Sequence, residues 1–212
     1  MKLLIAGEGK DELGRWAREK SYQTLEESSP GLIEALLRRV RPDGWEIVEG
    51  WMWKLIPKYQ ARRGRPDPTR EEVRREGLGP EGKTLLGLAL LAEERGCDAL
   101  VFARDRDGDE DREREIDDAL KLAKERFTTR IAGSVAVEEI ESWLLSMLSE
   151  RRAEEHADPK QVLVDRHGIA TLEQKVRVVE DADIDRIRSD AHSLRRWIER
   201  VRELGEDSLG AG

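Results

Sequence analysis

Asp105, Asp107 and Asp109 stand at alternate positions directly behind the apolar run Leu100-Val101-Phe102-Ala103. Such a run reads as a fully buried strand. In α/β sheets ligands bind at the carboxyl ends of strands, so this strand delivers carboxylates to a functional edge. Alternation points Asp105 and Asp107 the same way for as long as the chain stays extended. Carboxylates that close repel one another unless a cation lies between them, and hard oxygen donors suit Mg²⁺, Mn²⁺ or Ca²⁺. The plainer alternative is that Asp107 or Asp109 caps the helix predicted over Glu110–Arg126. One capping Asp would suffice for that, and three are present. The run is not an EF-hand, because the sixth position from Asp105 is Glu110 instead of Gly and the twelfth is Ile116 instead of Glu.

A second acidic group follows the opening apolar run. Lys2 to Ala6 predicts a strand, Gly7-Glu8-Gly9 a tight turn, and Glu12 lies one helical turn beyond Glu8. Gly-Glu-Gly-Lys lacks the long loop of a P-loop and the third Gly of a dinucleotide fingerprint. A third group, Glu138, Glu139 and Glu141, opens a helix after a strand predicted over Thr129–Val137, and Glu138 and Glu141 share a face. Acids in a first turn also favour the helix dipole. Lys83 stands at the start of the apolar helix 81–95, where its charge opposes the dipole and suits an acidic or phosphate partner. Asp105-Arg106-Asp107-Gly108 resembles the nucleophile motif of haloacid-dehalogenase-type phosphatases, but that motif follows a first strand and this one lies mid-chain.

The elements that must position these acids alternate between strand and helix. Helical periodicity runs over 11–20 and 30–41, a strand is predicted at Trp45–Val48, and helices fill the chain from about Arg151. Val176 to Val179 fits either a short strand or a helix, and 183–204 predicts a closing helix or helix pair. The expected fold is α/β, with a mainly parallel central sheet flanked by helices. Residues 1–150 would form the α/β unit, with an insertion at about 51–80, and 151–212 a helical extension packed on it. Trp51 and Trp53 at alternate positions suit core packing, with a base-stacking platform as the less common use.

The 212 residues suffice for one sizeable core. Charged residues make up 40% and the net charge is −8, which excludes a general basic surface for nucleic acid. The one basic concentration is the Pro-, Gly- and Arg-rich stretch 58–80, where Arg62, Arg63, Arg65 and Arg70 would track a phosphate backbone. Cys97 is the single cysteine, so neither an internal disulfide nor a cysteine-based zinc site is available. His156, His167 and His192 have no ligand-like spacing. No signal peptide or membrane-spanning run is evident, which makes the cytoplasm the expected location.

Taken together, Glu8-Gly9-Lys10-Asp11-Glu12 behind a first strand and Asp105-Arg106-Asp107 behind a later buried one resemble the Toprim domain. That domain is shared by bacterial primases, topoisomerases, small recombination proteins and the overcoming-lysogenization-defect nucleases. Glu139-Ile140-Glu141-Ser142-Trp143-Leu144-Leu145 makes the chain more similar still to a Toprim-related bacterial family known only as a domain of unknown function. In that family an Asp often follows the Leu-Leu pair by two, where this chain has Met147.

The resemblance implies divalent-metal-dependent attack at a phosphodiester. Glu8, Asp105 and Asp107 would hold Mg²⁺ or Mn²⁺, with Glu12, Asp109 and Glu141 completing a second ion or its water shell, and Lys83 would stabilise charge on phosphorus. A Mg²⁺-dependent nuclease acting on DNA or RNA is the leading expectation. A non-catalytic Toprim-like module serving a partner protein is the alternative, and a phosphatase or nucleotide hydrolase the next. A homodimer is compatible with the sequence. A nuclease predicts that Glu8, Asp105 and Asp107 converge on one point beside the basic loop; a scaffold predicts that Glu8 is remote, or that Lys or Arg fills the site.

Overall fold

The computed structural model describes residues 1–17, 29–56 and 77–206. Arg62, Arg63, Arg65 and Arg70, and residues 18–20 of the helix expected over 11–20, lie outside these residues. Four strands, β1 (Lys2–Gly7), β2 (Glu46–Met52), β3 (Ala99–Asp105) and β4 (Arg130–Ala136), form an all-parallel sheet in the order β2-β1-β3-β4. Parallel neighbours need long crossovers, and helices supply them. The helices are α1 (Lys10–Leu13), α2 (Leu32–Val40), α3 (Pro80–Glu94), α4 (Glu110–Arg126), α5 (Glu141–Met147), α6 (Pro159–His167), α7 (Leu172–Asp181) and α8 (His192–Glu206). The fold is α/β with a parallel central sheet flanked by helices. Among the described residues no helix is long and apolar enough to cross a membrane.

Both central strands are apolar on both faces, because both faces are covered. Leu3, Ile5, Ala99, Val101 and Ala103 point to one side, where they join α2, α5 and the C-terminal helices in one hydrophobic cluster. Leu4, Ala6, Leu100 and Phe102 point to the other, against Trp53 and the apolar residues of α3 and α4. The register is set by Leu4 opposite Leu100, Ala6 opposite Phe102 and Asp105 opposite Ala136. Trp53 is thus a core residue, 4% exposed, not a stacking platform.

The C-terminal helices share the core of the sheet. Leu163, Val176, Val179, Leu194, Trp197 and Val201 lie in the same cluster as β1 and β3. Fully buried Trp197 donates its indole N–H to the carbonyl of Phe102 at 2.8 Å, and its ring meets Trp143 at 6.1 Å between centroids. The closing helix is therefore bonded to the middle of the central strand.

One element differs from the sequence reading and two that it left open are narrowed. The first helix is one turn, ended at Gly14, whose φ of +54° is a conformation that favours Gly and whose neighbour across a β-bridge is Pro30. Residues 176–179 are helical, because Leu172, Val176 and Val179 make one apolar stripe on α7. The closing segment opens with a 3₁₀ turn, Ile184–Arg186, and becomes α-helical only at His192.

Candidate functional site

Period-two alternation decides which charges meet at the carboxyl edge of the sheet. In β1, Gly7 follows Leu3 and Ile5 on the α2 side, and Glu8 follows Leu4 and Ala6 towards α3. In β3, Asp105 follows Val101 and Ala103 on the α2 side, and Arg104 follows Leu100 and Phe102 towards α3. Adjacent residues of one strand therefore serve two different compartments.

The α2-side compartment is acidic. Glu12, 7% exposed, accepts the N–H of Gly9 at 2.7 Å, closing the one-turn helix α1. Gly7 makes this approach possible: a Cβ built on it would lie 2.6 Å from the Cβ of Glu12. Asp105, at the end of β3, accepts the N–H of Ile140 at 2.8 Å, which ties it to the start of α5. Glu141, on the first turn of α5, is 5% exposed. Burial and the nearby negative charges of Glu12, Glu141 and Asp107 push the Asp105 carboxyl up to about 8. Burial also raises Glu12, helped by the charge of Glu141. Two residues before Glu141, Glu139 Oε2 is buried and has no hydrogen-bond partner.

The positive charge in this compartment comes from the far end of the chain. Lys175 of α7, 2% exposed, donates from Nζ to Glu141 at 2.6 Å and to Asp11. Burial works against its charge, but the hydrogen bonds to Asp11 and Glu141 outweigh it and hold its pKa above the ordinary value. A buried ammonium needs such partners.

The α3-side compartment is a closed network of opposite charges. Glu8 pairs with Arg104 and accepts the N–H of Asp105 at 3.2 Å. Arg104 also donates twice to Glu81, at 3.0 Å each, and lies over the ring of Trp53 at 5.8 Å. Trp53 donates its indole N–H to Glu81 at 2.7 Å. Arg112 of α4 donates to Asp107 at 2.9 Å and to the carbonyl of Asp105. Burial, then the charge of Arg112, lowers Arg104 to about 10.

The candidate acids thus part company. Asp105, Glu12 and Glu141 come together with Asp11, which the sequence did not single out. Glu8 is adjacent to Asp105 through the backbone, but its carboxylate is turned to Arg104. Asp107 does not continue the alternation: β3 has ended, its φ is +49°, and its side chain lies against Arg112. Its N–H donates to the carbonyl of Glu138, which itself has a φ of +59°. Asp109 is exposed and caps α4, accepting the N–H of Asp111 at 3.1 Å. Lys83 is exposed on α3, and Arg104 and Arg112 are the cations that meet Glu8.

Sequence reasoning missed Lys175, Arg104 and Arg112. Lys175 had a signal, since it stands on the stripe of Leu172, Val176 and Val179, where a charge must find a buried partner. Arg104 had one too, as an arginine on the buried parity of an apolar strand.

The donor types of the acidic compartment suit a hard divalent cation. Among the described residues, Asp11, Glu12, Asp105 and Glu141 carry four carboxylates against the ammonium of Lys175. Among the described residues, no group of three or more His, Cys, Asp or Glu side chains is drawn together as a ready-made metal cage. Compared with family models, curated proteins and solved structures, the chain matches none.

Proposed function

We propose that this protein is a divalent-cation-dependent phosphodiester-processing enzyme, a nuclease in the first instance, working at the acidic compartment. One observation carries the reading: Asp105, at the carboxyl edge of a parallel sheet, lies beside Glu12 and Glu141, and burial first, then their charges, push its carboxyl up to about 8. Crowded carboxylates at such an edge are the arrangement that a cation relieves, and strongly perturbed groups mark functional sites.

In this reading Glu12, Asp105 and Glu141 would hold Mg²⁺ or Mn²⁺. When bound, the ion supplies polarisation of a phosphoryl oxygen and a more acidic attacking water. The chain's own residues do the positioning. The N–H groups of Gly9 and Ile140 each fix one oxygen of Glu12 and Asp105, and Lys175 fixes Glu141. Glu8, held by Arg104 and bonded to the N–H of Asp105, braces the end of β3. Arg62, Arg63, Arg65 and Arg70 retain their proposed contact with the phosphate backbone of DNA or RNA.

The test is Mg²⁺ and Mn²⁺ calorimetry on wild type and on Glu12→Gln/Asp105→Asn, beside Mn²⁺-supported cleavage of DNA and RNA substrates. Ion binding and cleavage that are both lost in the variant support the reading; cleavage that survives in it refutes the reading.

A second reading, a non-catalytic binding module with a partner protein, is favoured by the pairing of Glu8, Glu81, Asp107 and Glu141 with Arg104, Arg112 and Lys175. Ion binding without cleavage in the same experiment would select it.

A further inference from the structure

Among the described residues β4 is an edge strand, with β3 on one side and no strand on the other. The N–H of Arg130 donates to the carbonyl of Asp98, and the N–H of Arg106 to the carbonyl of Ala136. The even-numbered residues of β4 therefore bond to β3, and Ile131, Gly133 and Val135 turn both backbone groups away from it. Arg200 of α8 covers one of these groups, donating to the carbonyl of Gly133 at 2.8 Å. Among the described residues the N–H and carbonyl of Ile131 and the N–H of Gly133 have no partner.

Ile131 lies in a cleft of about 710 Å³ walled by α4 and α8. That volume is in the range of built ligand sites. Leu120, Phe127 and Ile131 give the cleft apolar surface, and five Lys and Arg side chains line it against three carboxylates. One of those carboxylates, Asp117, is already bonded to Arg200 at 3.1 Å. The cleft is thus cationic in a chain whose net charge is −8.

Unpaired strand groups beside apolar surface suit an extended polypeptide, which offers a donor and an acceptor to the edge and a side chain at alternate positions to the walls. Phosphate groups would answer the cations, but they accept hydrogen bonds and have none to give to the carbonyl of Ile131. The excess of cations selects a partner of the opposite charge. We propose that the cleft at the β4 edge binds an extended acidic peptide of a partner protein, which pairs with Ile131 and ends its ladder where Arg200 covers Gly133. Ile131 is near the amino end of β4, whereas Asp105 stands at the carboxyl edge of the sheet. The site is therefore separate from the acidic compartment, and its failure would leave the reading of that compartment untouched.

The test is fluorescence anisotropy of the full chain with a short labelled peptide of alternating Glu and Val. The corresponding Lys and Val peptide and a thymidine oligonucleotide are run beside it, and amide hydrogen exchange locates the contact. Ile131→Pro removes an outward N–H and leaves the bonds to β3 in place. Lys121→Glu/Lys124→Glu reverses two exposed cations on α4. Wild type is expected to bind the acidic peptide at least about tenfold more tightly than the basic one. Ile131→Pro is expected to weaken that binding about fivefold, and the α4 variant about tenfold. Exchange at Ile131 and Gly133 is expected to slow when the acidic peptide is bound.

No saturable binding of the acidic peptide overturns the proposal. So does binding that either variant leaves unchanged, or exchange at Ile131 and Gly133 that does not slow. An oligonucleotide that binds more tightly than the peptide, and is lost in the α4 variant, would make the cleft a nucleic-acid groove instead. Wild-type self-association that Ile131→Pro abolishes, measured by sedimentation, would assign the edge to a second copy of the chain and overturn the partner peptide. Should Ile131→Pro not fold, the α4 variant and the exchange measurement decide.

Discussion

Asp105→Asn isolates the charge on which the site turns. The carboxyl of Asp105 is raised from 3.8 to about 8 in the folded chain, chiefly by burial and by the charges of Glu12, Glu141 and Asp107. Between these values the folded protein holds a proton that the unfolded chain has released. Stability must then fall as pH rises through this window, and the penalty is complete above about 8. At about 1.4 kcal/mol per pH unit the full penalty tops out near 6 kcal/mol. Asp105 keeps a water-facing side, so relaxation and solvent reduce the expected loss to about 2–3 kcal/mol. Asparagine keeps an oxygen for the N–H of Ile140 and cannot ionise. Urea unfolding in chelator at pH 5, 7 and 9 is the assay. Wild type and Asp105→Asn are expected to differ least at pH 5, and the variant to gain about 2 kcal/mol on wild type between pH 5 and pH 9. Parallel profiles for the two proteins would refute the placement of Asp105 in a crowded acidic compartment.

Gly7→Ala places a Cβ against Glu12 at 2.6 Å and is expected to destabilise by about 1–3 kcal/mol while weakening Mn²⁺ binding, read by urea unfolding and calorimetry. Trp197→Ala removes a fully buried ring together with its bond to the Phe102 carbonyl, with an expected cost of about 3–5 kcal/mol in the same unfolding assay.

The sheet was the legible part of the chain, and physics explains why. Strands buried on both faces must be apolar throughout, so Leu3 to Ala6 and Leu100 to Ala103 announce themselves. The position of Asp105 followed from where that run stops. Its neighbour Asp107 was harder, because alternation holds only in extended backbone and the positive φ at Asp107 ends it. Glu8 ranked above Glu12 in the sequence, and the structure gives Glu8 to Arg104 and sends Glu12 inward. That exchange depends on a partner 96 residues away, which no local pattern encodes. Lys175 was out of reach for the same reason, although a lysine on the apolar stripe of α7 was there to be noticed. The short first helix turned on Gly14, whose left-handed φ serves a bridge to Pro30 far along the chain.

The assignment of Arg104 to one face of the sheet and Asp105 to the other has a consequence for how the chain tolerates change. Sliding β3 by one residue would do more than expose apolar side chains. It would carry a guanidinium into the pocket that already holds the ammonium of Lys175, and a carboxylate into the company of Glu8 and Glu81. The α3 side would then gain a carboxylate beside Glu8 and Glu81 and lose the guanidinium that now pairs with both. The central strand is therefore keyed as well as shaped. Insertions or deletions of a single residue between Ala99 and Asp105 should be far less tolerable than substitutions among its aliphatic positions, and the charged pair at its end is what locks the strand to one register.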